Sequence, residues 1–506
     1  MTTVARRTFV PARRLFDAWF DSPYAVPILL VVFVLAWTVF QVISFAPFDL
    51  HPDVVEVFGW GRHPAAGYYK HPPLGGLMSG AWFAIFPVAD WSAHLMAMVN
   101  AGLSLTIVDL IARRYLSGEK RLMVLLLLML TPFYQFHSVR FASNQTLLPT
   151  WPLAVYCFIR AFESRGILWA AAAGATAALA MLGKYFSIYL VGGLMIAALM
   201  HPDRARYLRS PSPWISVAAG LAVLAPHMLW LVDTGFRPFQ YAMAVHGAPS
   251  QLVSASTVLT YLLGGFGYVL VPIVVFVLAA RPRPADVISA LWPRDPGRRQ
   301  LAVLLWAPIV LPAISAPFIA VELTSIWTMQ AWFLLPILLL MPVNVGVRRE
   351  AAVAVAAGIA AFTLIALLIS PALAWIKHQQ GNREGRAYYR PLAQEMTRRW
   401  HEITPRPLAI VLGDQDFATA ASFYSPDHPD SVPGFDLPAS PWVTPVRMAR
   451  EGFVVICLDE GCAARAMQLA AGHPGAQRET ITVVRMFLGV TSPPQRFIVV
   501  LAPPSR

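Results

Sequence analysis

Long apolar runs decide what this chain can become. A membrane helix needs about 20 mainly apolar residues. Runs of that kind begin near Tyr24, Ser92, Arg121, Gln145, Gly166, Tyr185, Ile215, Ser256, Leu301, Trp327 and Ala351. Several join across a single polar residue, so about nine to thirteen spans fit the pattern. Of the 506 residues 57% are hydrophobic and only 13% charged, where soluble domains carry about 25% charged. The fold class expected is a polytopic α-helical membrane protein of about 11 spans. The first run, from about Tyr24 to Ser44, is too long for a signal-peptide core. No small-residue cleavage site follows it, so it reads as the first span.

The formal charge of +12 does not point to nucleic acid, because the cations sit in short loops between apolar runs. One set of alternate loops holds Arg6, Arg7, Arg13 and Arg14, then Arg113, Arg114, Lys120 and Arg121, then Arg160 and Arg165. It continues with Arg204, Arg206 and Arg209, then Arg281, Arg283, Arg294, Arg298 and Arg299, then Arg348 and Arg349. The opposite set holds only Arg62, Lys70, Arg140, Lys184 and Arg237. The positive-inside rule then places the N-terminus in the cytoplasm. The loop after the first span and, for an odd number of spans, the C-terminal segment lie outside.

The expected division is a transmembrane part, 1–376, with an outer loop at 45–90, followed by an outer domain at 377–506. The second half of the loop, Leu74 to Phe86, is apolar but short, which suggests an interfacial helix. Charges become frequent in the final segment. β-rich runs at 408–413, 453–458, 481–489 and 497–502 alternate with helical stretches near 417–423 and 463–471, the pattern of a small α/β domain. That domain is expected to make contacts and not to carry chemistry. Its Gly413-Asp414 turn lacks the glycines of a phosphate loop. Cys457 and Cys462 pair if this domain faces an oxidising compartment; two separate thiols are the alternative. Two cysteines without a nearby histidine do not make a zinc site.

Candidate chemistry concentrates in the outer loop. Asp49, Asp53 and Glu56 follow the first span, and a helix would bring Asp53 and Glu56 to one face. A carboxylate there can take a proton from an attacking hydroxyl. The plainer reading is an acidic patch with Asp53 as an N-cap after Pro52. Lys70, His71, Arg140, Lys184 and Arg237 are isolated on a face otherwise nearly free of positive charge, and a lipid phosphate is a natural partner for them. Lys184 interrupts the apolar ALAMLGKYFSIYLV; a snorkelling lysine is the alternative. His227 and Glu322 also sit in apolar context, where satisfied core groups are the commoner outcome. Asp109 beside Arg113 reads as a structural ion pair.

The pattern PDVVEVFGWGR followed by GYYKHPPL resembles the first periplasmic loop of the GT-C glycosyltransferases. Within them it is most similar to the group of rhizobial galacturonosyltransferases, aminoarabinose transferases and protein mannosyltransferases. RFASNQTLLPTWPLAVYCFIR, LGKYFSIYL, LAPHMLWLVDTGFRPFQYA, LTSIWTMQAWFLLPILLL and ASFYSPDHPDS agree in order, so the resemblance covers most of the chain. It implies a bacterial inner-membrane enzyme that takes a sugar from a polyprenyl-phosphate donor. The acceptor is a lipid, glycan or protein whose hydroxyl attacks with inversion at the periplasmic face. Asp53 falls where that group keeps its acid, with Glu56 as a substitute for the second acid that Val54 replaces. Lys70, His71, Arg140 and Lys184 fall to the donor phosphate. Tyr68, Tyr69, Asp49, His227, Arg237 and Glu322 are further cavity candidates. Lys70 stands where an acid often precedes the Pro-Pro-Leu motif, and Asn144 where a second acid is common; both departures weaken any metal requirement. Partners are the donor, the acceptor and membrane lipids, with no nucleic acid.

A polytopic transporter or lipid flippase is the competing class. It predicts internal repeats or paired broken helices, and the sequence shows no repeat. A non-catalytic scaffold would not need clustered outer carboxylates and cations.

Overall fold

The computed structural model describes residues 22–380 and 386–505. Arg6, Arg7, Arg13 and Arg14, on which the orientation of the N-terminus leaned, lie outside them. The chain divides into two compact units. The first takes the residues up to Thr38, Ala97–Val139 and Ser143–Ala366; the second takes Val39–Met96, Arg140–Ala142 and Leu367 onward.

The first unit is helical, and the apolar runs account for it. Five described helices are long and apolar enough to cross a membrane unaided: Ala25–Ser44, Asp90–Ala112, Ser212–Asp233, Pro296–Ile319 and Arg349–Gln379. Two further pairs qualify as bent spans, Gly118–Met129 with Pro132–Val139 at 76° and Gln251–Gly267 with Leu270–Ala280 at 41°. The other runs are helical but shorter or interrupted. Ser143–Ser164 carries Pro149 and Pro152 inside it. Lys184 separates Ile167–Gly183 from the helix that ends at Met200. The run from Trp327 breaks into short turns before Leu335–Leu340. Pro132 explains the sharper bend, because proline cannot donate to the preceding turn. Helix Ile167–Gly183 approaches Ser212–Asp233 at Gly174. A Cβ there would sit 1.9 Å from the Ser216 carbonyl oxygen, the close backbone approach that small residues permit between membrane helices.

The second unit is an α/β assembly. Its main sheet uses β1 Ile410–Gly413, β2 Asp430–Pro433, β3 Phe453–Cys457, β4 Gln477–Val483 and β7 Gln495–Ala502. β5 Met486–Phe487 and β6 Val490–Thr491 form a separate hairpin. The main order is β2-β1-β3-β7-β4, with β1 parallel to β2 and β3 and with β7 antiparallel to both neighbours. Side chains alternate across it, as a period of two requires. Val411, Val454, Ile456, Val499 and Leu501 enter one core; Ile410, Leu412, Val455, Cys457 and Val500 enter the other.

The first of these cores also takes Val54, Val55 and Phe58 from the outer loop. They come from helix Pro52–Gly61, which packs against helix Gln415–Tyr424. The next loop helix, Leu74–Phe83, crosses Pro52–Gly61 at glycines: a Cβ on Gly61 would lie 2.5 Å from the Gly80 nitrogen. The apolar half of the loop is thus helical, ending at Phe83 and not Phe86.

Two strand expectations need correction. β2 was missed: DSVP begins with Asp and ends with Pro, both poor strand formers, yet an edge strand tolerates proline. The run at 481–489 is not one strand; β4 ends at Val483 and the chain then turns into the hairpin. Cys457 and Cys462 form a disulfide joining the end of β3 to helix Glu460–Leu469. Cys157 is a buried free thiol.

Candidate functional site

In the second unit, helix Pro52–Gly61 carries the loop carboxylates. His51 is its N-cap, accepting from the Asp53 amide at 3.2 Å, and Pro52 takes the first helical position. Asp53 is therefore not the cap. It lies in the first turn, where an anion is favoured by the helix dipole, and its side chain is 55% exposed with His51 Nδ1 at 3.4 Å.

Three residues on, Glu56 is buried. Its carboxylate meets Lys70 Nζ at 2.8 Å and accepts from the Tyr69 hydroxyl at 3.0 Å. Burial pushes the Glu56 carboxyl above its ordinary value, against the pull of Lys70. The shared helical face is real in spacing but unequal in environment: Asp53 is open, while Glu56 and Lys70 hold each other. Tyr68 is structural, stacking on Trp60 at 4.9 Å and donating to the Trp60 and His63 carbonyls at 2.9 and 3.1 Å. His71 accepts the Tyr68 amide through its carbonyl and presents its ring to Trp60 at 6.1 Å.

Both ends of this helix are clamped. Before it, Asp49 is 2% exposed. Its carboxylate accepts from Arg485 at 2.5 Å and from the Arg390 amide at 3.1 Å. The Leu50 amide donates to Tyr424, which donates to Asp90 at 3.0 Å; Arg390 also pairs with Asp90. After the helix, buried Asp430 contacts His63 at 2.6 Å, Arg447 at 2.6 Å and Arg62 at 3.4 Å. Burial works to raise the Asp430 carboxyl, but the hydrogen bonds of His63 and Arg447 and the charge of Arg62 hold it below its ordinary value. His63 stacks on Trp442 at 4.6 Å. Asp49 is thus consumed by these contacts.

Two acids that the sequence reading did not single out belong to this neighbourhood. Asp414 caps helix Gln415–Tyr424, accepting from the Asp416 and Phe417 amides at 3.1 and 3.2 Å. That is the purpose of the Gly413-Asp414 turn, with Gly413 at φ 113 where a Cβ would strike the Ile456 carbonyl. The Asp416 carboxyl is pushed up by burial and by Asp414 and Asp53, and pulled down by Lys70. Its signal was the Asp-x-Asp at a strand end, which begins a helix. Arg140 is exposed and has no ion pair among the described residues.

In the first unit, Lys184 leaves helix Ile167–Gly183 with extended backbone, φ −161 and ψ 138. Its ammonium donates to Asn144 Oδ1 at 2.6 Å and lies over the Trp327 ring at 4.7 Å. His246 meets the same ring edge-on at 5.0 Å. The His246 carbonyl accepts from the Glu322 amide at 2.8 Å, beside the Gly247–Val321 bridge. Burial and the Lys184 charge push His246 below its ordinary value, while Glu322 opposes them. Lys184, Asn144, Trp327, His246 and Glu322 therefore form one cluster, in which the ammonium's hydrogen-bond acceptor is a neutral amide oxygen. Sequence reading passed over His246, whose only signal was a polar residue ending an amphipathic helix. His227 lies elsewhere, buried, with its Nε2 at 2.9 Å from the Tyr185 hydroxyl, a satisfied core histidine. Arg237 opens helix Arg237–His246. Asp109 is the structural centre expected, with Arg113 and Arg121 both at 2.6 Å.

Among the described residues no group of three or more His, Cys, Asp or Glu side chains could hold a metal ion.

Residues 70–230 match the profile of the family described as dolichyl-phosphate-mannose-protein mannosyltransferase. The structure resembles ArnT from Cupriavidus metallidurans bound to undecaprenyl phosphate, with a TM-score of 0.61 and 16% identity over 95% of this chain and 98% of that one. It also resembles the apo state of that protein, with a TM-score of 0.58 and 16% identity over 94% and 98%. The AglB oligosaccharyltransferase of Archaeoglobus fulgidus aligns at a TM-score of 0.35 and 12% identity over 93% and 74%, too weak a likeness to argue from. No curated protein matches the sequence.

Proposed function

We propose that this chain, which has the fold of the GT-C membrane glycosyltransferases, is an inverting glycosyltransferase using a polyprenyl-phosphate sugar. The acceptor is a lipid, glycan or protein hydroxyl at the periplasmic face of a bacterial inner membrane. One observation carries the reading: an open carboxylate, Asp53, stands in the first turn of a helix clamped at both ends. A base needs such an arrangement, an acceptor for the proton on a support that does not move.

In this reaction the acceptor hydroxyl gives its proton to Asp53 as its oxygen bonds to the anomeric carbon. The bond from that carbon to the phosphate oxygen breaks, and its electron pair leaves with the polyprenyl phosphate. Lys70, His71, Arg140 and Lys184 are assigned to that phosphate, with Lys70 shared by Glu56. The undecaprenyl phosphate bound to ArnT supports the class of donor. The direct test mixes purified protein with a lipid-linked sugar and measures free polyprenyl phosphate. A transporter would leave the bond intact. A mass shift in the surface lipids or glycans of a deletion strain would then name the acceptor class.

Lys184→Met should weaken donor binding about ten- to a hundredfold. A charge-assisted contact is worth roughly 1.5–3 kcal/mol, and about 1.4 kcal/mol is tenfold. Methionine keeps the apolar stem and removes the charge. Titration with a labelled donor reads the effect, and an unchanged affinity would limit Lys184 to its contacts with Asn144 and Trp327.

Topology is separately testable. The charge bias and the disulfide both fit an oxidising outer compartment. A reporter active only in the periplasm, fused near Pro503, should be active; activity of a cytoplasm-only reporter at that site would reverse the assignment.

A further inference from the structure

The helical unit contains a cavity of about 740 Å³ with a composition that no step above uses. Its walls come from helix Pro284–Leu291, the turn that follows, the start of helix Pro296–Ile319 and the segment around Met341. One wall is apolar, with Ile288, Leu338 and Met341. The other carries Arg294 and Arg298. Trp292 stands at the rim, half exposed.

The charges are the informative part. Lys120, from helix Gly118–Met129, donates to the Pro342 carbonyl at 3.2 Å and lies close enough to Arg298 for their charges to interact. Neither Arg294 nor Arg298 has a side-chain hydrogen bond or ion pair among the described residues. Asp295, the carboxylate in the lining, accepts from the Arg298 amide at 2.9 Å as the cap of its helix. Arg299 is spent on the Pro293 and Arg294 carbonyls, at 2.9 and 3.0 Å. Three cations therefore converge with one engaged acid between them. Like charges held together repel, and an anion among them removes that cost. A small hydrated anion has no use for the apolar wall or for the half-exposed indole. A phosphate with hydrocarbon attached uses all three, and basic pockets between membrane helices suit such headgroups.

We propose that this cavity binds the headgroup of an anionic phospholipid, with its phosphate at Arg298, Arg294 and Lys120 and its acyl chains along Ile288 and Trp292. The site is independent of sugar transfer, so its test does not depend on activity. The full-length protein is purified in an uncharged detergent and mixed with phosphatidylglycerol or phosphatidylcholine, and retained lipid is counted by native mass spectrometry. Phosphatidylglycerol should be retained in preference. Lys120→Gln with Arg298→Gln should lower its affinity at least about tenfold, while Arg204→Gln, in another basic turn, leaves it unchanged. If the double variant does not fold, Arg294→Gln, exposed on the turn, gives the same reading. Equal retention of the two lipids would overturn the proposal. So would normal retention by the variants, or stabilisation by inorganic phosphate equal to that by the lipid.

Discussion

Asp53→Asn should fold, insert and bind the donor normally, with turnover lower by about 10²–10⁴, the usual worth of a general base. Asparagine keeps the shape and the hydrogen-bonding oxygen but cannot take the proton. The side chain is more than half exposed and its ion-pair partner is His51, so the change leaves no buried group unpaired. The loss should fall on kcat, because the group acts in the transition state and not in donor binding. Glu56→Gln is the necessary comparison. Glu56 is buried against Lys70 and Tyr69, so its loss frees a buried ammonium and shifts a support. It should cost less turnover than Asp53→Asn and more stability. If Glu56→Gln lost turnover while Asp53→Asn kept it, the base would be Glu56 and sugar transfer would stand. If neither these two nor Asp49 affected turnover, the mechanism proposed here would be wrong.

The largest effect on stability is expected at Asp49→Asn. Removing one partner from a buried ion pair costs roughly 3–5 kcal/mol, because the other charge is left buried and unpaired. Here the abandoned charge would be that of Arg485, and the Arg390 amide would lose its carboxylate acceptor; both bonds tie the start of the loop helix to the C-terminal segment. Hydrogen exchange in Tyr389–Ile403 reads this without unfolding the membrane helices. Protection there should fall roughly a hundred- to several-thousandfold, the equivalent of that energy. The double change Asp49→Leu with Arg485→Met removes both charges and should restore much of the loss. Unaltered protection in Asp49→Asn would show that the pair is no clamp.

Much of the fold was legible because apolar length is a coarse and strong signal. Every apolar run is helical, but length alone did not say which would be broken by Pro132 or parted by Lys184. The C-terminal strands were legible where Val and Ile dominate, as in Phe453–Cys457, and lost where pairing alone makes a strand, as in Asp430–Pro433. The site divides in the same way. Asp53 was singled out because it follows the first span, and the structure leaves its side chain open. Glu56 and Lys70 were found separately, one as an acid and one as a phosphate ligand, and their mutual neutralisation was invisible. No pattern in one chain couples residues fourteen apart across a turn. Asp416 and His246 were missed because their neighbours come from distant segments. Asp416, from the final domain, lies close enough to Lys70 and Asp53 to feel their charges.

The clamp on Asp49 has a consequence in time. Its partner Arg485 lies 436 residues further along the chain. At about 5–20 residues per second, ribosomes take roughly 20–90 s to supply it. During that interval Val54, Val55 and Phe58 have no completed core to enter. A nascent chain must therefore carry an unfinished loop past every later membrane insertion. Quality control that samples unfolded segments would meet this loop early, and a chain stopped before β7 would lack part of the core that buries it.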